Sequence, residues 1–235
     1  ADSIQKNSGR TYHRRDFVRG GLERGIAKKA ALGVNPFKYG FTGGTDNHNG
    51  LMSAVAEDAF EGAHGPEDGT VERRRTGDVL GWIDGKDLSI GALAGVWATE
   101  NSRAAIWDAM KRRETFATSG PRIKVRMFGG VGLSEPADPV AMAEEGDVLG
   151  DPMGGDLPST GTAPTFTVYA EKDSDGANLD RIQIIKGWVD LNGDVNEKIL
   201  DVVWSGDRKI DRRTGKLSPV GNTVDMSTAK FANDI

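Results

Sequence analysis

A change in the period of the apolar residues near residue 120 limits this chain's folding more than any other feature. From Arg122 to Phe128 (RIKVRMF) polar and apolar residues alternate, the period of a half-buried strand. Thr165 to Ala170, Leu179 to Val189 and Ile199 to Trp204 read as further strands between turn residues, with no helical pattern among them. Strands at that spacing predict an antiparallel sandwich-like domain. Before residue 120 the apolar spacing is helical. Tyr12 to Leu32 reads as a basic helix with Phe17, Val18, Leu22 and Ile26 on one side, closed by Gly33 and by Asn35-Pro36. Leu51 to Phe60 reads as a second helix. Asn101 or Ser102 opens a third, running to Arg113 with Ala105, Ile106, Ala109 and Met110 as its buried stripe. A short β-like run spans Phe37 to Thr42, and residues 61–90 and 129–163 read as loops. The expected class is therefore α+β: an α/β piece over 1–120, then a β-rich, sandwich-like domain over 121–235.

Composition narrows the function. The 235 residues contain no cysteine, which excludes disulfides, thiolate zinc sites, iron–sulfur clusters and cysteine nucleophiles. Any transition metal must be held by His, Asp and Glu, and the only histidines are His13, His48 and His64. A net charge of −5 argues against nucleic acid as partner, since phosphate contact needs a basic surplus. No apolar run reaches the roughly 18 residues of a membrane span. The 32 glycines, about twice the usual share, follow no repeat and read as many tight turns. The first residues hold no apolar signal segment and no initiator Met, and the last read as part of a strand. A piece of a longer protein is the expectation, with a periplasmic or secreted and a cytoplasmic location both open.

One stretch carries chemistry. Thr45-Asp46-Asn47-His48 follows the β-like run and is set among Gly43, Gly44 and Gly50. A carboxylate and an imidazole two residues apart can turn toward one cation where the backbone bends. Flanking glycines permit the bend and let a ligand approach. An O/N pair suits zinc or a harder divalent metal. Asp and His are also ordinary turn residues, so the pattern alone leaves a plain loop open.

The segments GVNPFKYGFTGGTDNHNG, GALAGVWATENSRAAIWDAMKRRETFATSG and APTFTVYAEKDSDGANLDRIQIIKGWVD together resemble the DUF3604 family. The first is also similar to the Gly-Ser-Asp-x-His segment of the PHP (polymerase and histidinol phosphatase) metallohydrolases. The resemblance implies the C-terminal part of a DUF3604 chain: the remnant of a PHP-like (β/α) barrel followed by an antiparallel β-sandwich-like domain. It implies that Asp46 and His48 are ligands of a divalent metal ion, zinc, manganese or iron. The His-x-His segment that opens PHP proteins has no counterpart here, so the metal would be incompletely coordinated. The implied function is a fragment of a metal-dependent, phosphoesterase-like hydrolase of a small-molecule ester, inactive by itself.

Other residues carry weaker signals. His64 can reach the site as ligand or as acid/base group, or lie in a solvated loop. Arg122, after Ala117-Thr118-Ser119-Gly120-Pro121, has the planar fork that clamps phosphate or carboxylate, or it simply follows a tight turn. Ser119 has no identifiable base beside it. His13 reads as a surface residue, and Glu57, Asp58 and Glu61 as a helix face. Asp190 to Asn196 imitates half a calcium loop but lacks its Gly and Glu, and reads as a hairpin turn, as does Asp173 to Gly176. Trp82, Trp97, Trp107, Trp188 and Trp204 are expected mostly as core anchors, with Trp188 as a candidate sugar platform. The alternatives to an enzyme are a non-enzymatic β-sandwich binding module and a truncated chain without independent function. Edges left by a missing barrel would favour self-association.

Overall fold

The computed structural model describes residues 11–48, 50, 68–79, 81, 83–87, 92–225, 227–228 and 230–232. The expected helix Leu51 to Phe60, His64, Trp82, Glu57, Asp58 and Glu61 lie outside them. In chain order the elements are a 3-10 turn at Arg14–Asp16, α1 (Val18–Leu32), α2 (Val71–Thr76), β1 (Asp78–Val79), β2 (Ile83–Asp84), a 3-10 turn at Gly85–Asp87 and β3 (Ala94–Val96). They continue with α3 (Arg103–Arg112), β4 (Thr115–Ala117), β5 (Lys124–Gly130), α4 (Pro139–Leu149), β6 (Gly150–Pro152), β7 (Thr165–Glu171), β8 (Arg181–Val189) and β9 (Val195–Trp204). The class is α+β, and every strand pairing among the described residues is antiparallel. No closed barrel is formed among them. One compact unit takes in Tyr39–Glu171; a second takes in Arg14–Lys38 with Lys172–Ile235.

The first unit is built on the three-stranded sheet β6-β5-β7, with Lys124 opposite Glu171 at one end and Gly130 opposite Thr165 at the other. Helix α4 packs on it, and the buried cluster is Phe128, Leu133 and Met142, with Ala143 and Tyr169 against it. Residues 129–163 read as loop because Gly, Pro and Asp dominate them. Those residues instead start and fit a helix. The Asp138 carboxylate accepts the N–H groups of Val140 and Ala141 at 2.9 Å, Pro139 opens the first turn, and Gly146 gives the ring of Phe128 room to lie on the helix. Part of 61–90 also folds: the Thr70 side chain caps α2, and β1 pairs with β2. Helix α3 begins as expected, with the Ser102 hydroxyl accepting the Ala105 N–H at 3.2 Å. Ala109 is fully buried and Met110 exposed, so the stripe is narrower than its spacing predicts, and Trp107 is exposed where a core anchor is expected.

In the second unit α1 packs on the β8–β9 hairpin. Its expected apolar stripe is only partly inward: Leu22 and Ile26 are half-buried, while Phe17 and Val18 are exposed. The buried positions are Gly20, Glu23 and Gly25. Glu23 is tolerated there because Arg14 pairs with it at 2.6 Å. Phe17 has extended backbone and stops the helix short of Tyr12, and Gly33, at φ 80°, closes it as predicted. Burial pulls the Asp180 carboxyl upward, yet hydrogen bonds from Arg181 and Arg208 outweigh it and hold it below the usual range.

Beyond β9 a small turn occurs twice. Ile210 bridges to Leu217 around Asp211, and Val224 bridges to Phe231 around Asp225. In each the Asp N–H donates to a Lys carbonyl, of Lys216 at 2.9 Å and of Lys230 at 2.8 Å. In each the Asp carboxylate accepts from groups two and three residues on.

Gly146→Ala should destabilise the protein by about 1–3 kcal/mol through overlap with Phe128, although alanine is the better helix former. A lower urea midpoint checks this; an unchanged or higher midpoint contradicts it. The second prediction concerns acid. The Ser227 and Thr228 hydroxyls and the Ser227 N–H hold the Asp225 carboxyl down at about 2, against an ordinary 3.8. The folded value lies below the unfolded one, so this carboxylate stabilises its turn above pH 3.8 and loses that contribution as pH falls toward 2. Carboxyl-carbon NMR should find its midpoint about 2, and Asp225→Asn should remove the acid response of the turn.

Candidate functional site

The chain leading into Thr45-Asp46-Asn47-His48 is held by the β3–β4 pair. The expected β-like run is a turn at Pro36–Phe37 followed by irregular chain. The Thr115 hydroxyl donates to the Phe41 carbonyl at 2.6 Å. Just past β4, the Thr118 N–H donates to the Leu93 carbonyl at 3.1 Å, and its hydroxyl accepts the Leu93 N–H at 2.9 Å. Gly43 lies on that same Leu93 backbone: a Cβ there would stand 2.6 Å from its carbonyl oxygen. Among the described residues nothing stands within 4 Å of a Cβ built on Gly44.

At the motif the backbone bends at Asp46 itself, and neither Gly43 nor Gly44 takes a positive φ. Asp46 takes a left-handed conformation, φ 53°, which Asp tolerates better than most side chains. The Asn47 N–H donates to the Thr45 hydroxyl at 3.3 Å. The bend brings Asp46 Oδ1 within 3.1 Å of His48 Nε2. Their side chains are 80% and 59% exposed, so the pair opens to solvent.

The donor set fits a divalent metal as a partial ligand pair. Zinc lies about 2.0–2.2 Å from a carboxylate oxygen or imidazole nitrogen, so two ligands of one tetrahedral ion stand about 3.3 Å apart. The observed separation is close to that. Among the described residues no group of three or more His, Asp or Glu is arranged to hold a metal. Arg122 belongs to a different element, exposed on the approach to β5. His64 lies outside the described residues, and His13 is exposed before α1.

The other singled-out positions form turns. Asp190 accepts the N–H groups of Asn192 and Asp194 and the Asn196 amide. The Asp194 N–H, then those of Asn192 and Gly193, with the Asn196 amide, hold its carboxyl below the ordinary range against a smaller effect of burial. Asp173 accepts the Asp175 N–H. Trp188 carries the Lys186 ammonium over one ring face at 5.6 Å.

Sequence reasoning missed a cavity of 770 Å³ in the first unit, lined among others by Trp97, Arg112, Glu114, Arg126, Asp147 and Tyr169. Glu114 is buried between two guanidiniums, Arg126 Nη1 at 2.6 Å and Arg112 Nη2 at 3.2 Å. The Arg126 guanidinium stacks on Trp97 at 5.0 Å and on Phe128 at 4.7 Å. Strict alternation puts Arg126 on the solvent face of its strand. It lies on the same face as Phe128, and its side chain is only 13% exposed. The sole signal in the sequence is that Arg126 and Phe128 are two apart.

Among the described residues no helix is long and apolar enough to cross a membrane. A family model described as "Protein of unknown function (DUF3604)" matches residues 1–235. No curated protein and no solved structure matches the chain.

Gly43→Ala should cost about 1–3 kcal/mol, because the new methyl meets backbone that cannot rotate away. Gly44→Ala should stay within about 0.5 kcal/mol. Denaturant midpoints of the two variants, measured together, check the pair; equal midpoints would mean that Gly43 is not pressed on Leu93.

Proposed function

Because the chain belongs to the DUF3604 family, we propose that it carries part of the metal centre of a phosphoesterase-like, PHP-type hydrolase of a small-molecule ester. In this reading residues 1–120 are the end of a PHP-like (β/α) barrel and 121–235 a β-sandwich-like domain. The observation that supports it is the 3.1 Å approach of Asp46 Oδ1 to His48 Nε2 across a left-handed turn.

Asp46 and His48 would hold zinc, manganese or iron. When bound, such an ion acidifies a water and neutralises charge on the ester's oxygens. The chain's own groups have separate tasks. Asp46 contributes a negative charge, and His48 contributes the Nε2 lone pair. The Thr45–Asn47 hydrogen bond fixes the turn that sets their spacing. Gly44, where no described residue stands within 4 Å of a built Cβ, lets a substrate approach the backbone. Arg122 would bind two phosphate oxygens with its fork. His64 would pass a proton to the departing alkoxide. Two donors from one loop are a partial ligand set, so the chain by itself is expected to turn over little or no ester.

The second reading is a binding module, favoured by the exposed apolar side chains Ile199, Val202 and Val203 along β9, which also suit self-association.

Metal content and zinc, manganese and iron affinity of purified protein, beside Asp46→Ala/His48→Ala, test the first reading. The expected result is a bound divalent metal whose affinity falls at least tenfold in the double variant. Equal metal content in both proteins, or none in either, overturns the metal centre and leaves the binding module.

A further inference from the structure

The cavity in the first unit has features that point to a ligand independent of the Asp46–His48 pair. Its 770 Å³ lies within the roughly 300–1,000 Å³ of small-molecule sites. Its wall mixes apolar surface from Trp97, Met142 and Tyr169 with charged groups of both signs.

The charges restrict the occupant. Arg126 has five N–H donors. Glu114 takes Nη1 at 2.6 Å, while Asp147 stands 3.7 Å from Nη2, beyond hydrogen-bond length. Among the described residues the guanidinium therefore keeps donor capacity, and it lies over the rings of Trp97 and Phe128. Acceptors face the same space. Asp147 is 63% exposed, and Glu171 lines the cavity while bound to Lys124 at 2.8 Å. An anionic ligand would suit the two arginines but meet Glu114, Asp147 and Glu171. A cation would suit those carboxylates but meet Arg112 and Arg126. A hydroxyl is donor and acceptor at once, so a neutral polyhydroxylated molecule satisfies both sets without net charge. Its C–H faces would lie on Trp97, Tyr169 and Met142.

We propose that the cavity bounded by Arg126, Asp147 and Tyr169 binds a neutral carbohydrate. Arg126 donates to ring hydroxyls, Asp147 accepts from them, and Tyr169 supplies apolar contact. The buried Glu114 sets the orientation of Arg126 and is a positioning residue.

Calorimetric titration of the full chain with sucrose, maltose, cellobiose and lactose tests this, with glucose 6-phosphate and glucosamine as charged controls. Chelator is present, so the outcome does not depend on the metal reading. At least one neutral disaccharide should saturate, and bind at least tenfold tighter than either charged sugar. Asp147→Asn, at an exposed position that leaves the core intact, should weaken it at least fivefold. Arg126→Lys should abolish it, with circular dichroism confirming the fold. No saturation by any of the four, tighter binding of a charged sugar, or unchanged affinity in Asp147→Asn each overturns the proposal.

Discussion

The first unit depends on the buried pair of Glu114 and Arg126. Taking two charges out of water costs several kcal/mol per ion, in order of magnitude, unless geometry and further contacts offset it. Here the offsets are specific. Glu114 is shared with Arg112, and the Arg126 guanidinium lies over two aromatic rings. The pair joins the residue before β4 to the middle of β5, and so fastens the β3–β4 pair to the three-stranded sheet. The Trp97 indole N–H, bonded to the Val125 carbonyl at 2.9 Å, reinforces the same junction. The next residue, Thr115, holds the Phe41 carbonyl. Two adjacent side chains thus anchor the cavity and the strand of chain that leads to Asp46.

Much of the fold was legible where local chemistry decides it. Ser102 and Gly33 mark helix ends because a cap hydrogen bond and a left-handed residue need little from the rest of the protein. Strands β7, β8 and β9 fall on the segments that read as strands between turn residues, although β9 begins at Val195, four residues before Ile199. The failures lie where a distant partner changes the meaning of a residue. Gly146 falls in a stretch that reads as loop; beside Phe128 it is the residue that makes close packing possible. Glu23 lies outside the apolar spacing of its helix, and its burial is explained only by Arg14 against it. Arg126 reads as the polar face of a strand until Glu114 and Trp97 are placed around it.

The candidate site divides the same way. Asp46 and His48 were legible because the turn that joins them is local and bordered by glycine. Nothing in their spacing, however, shows that Thr115 and Leu93 hold the chain in front of them. The cavity was invisible because its residues come from the chain after β3 and from α3, β5, α4, β6 and β7, and no short motif brings those together. Family membership identifies relatives over the whole chain, while the chemistry of those relatives must be argued from side chains such as these.

The paired turns around Asp211 and Asp225 have a consequence for the order of folding. Each closes within eight residues on its own hydrogen bonds. Loops of that size close in roughly 10–100 ns. Strand β5, by contrast, must wait for β7 to arrive across the whole of α4 and β6. The stretch after β9 can therefore take its local shape early, while the sheet that carries the cavity is still open. It is also a segment whose length can change by a whole turn without altering the register of any longer strand.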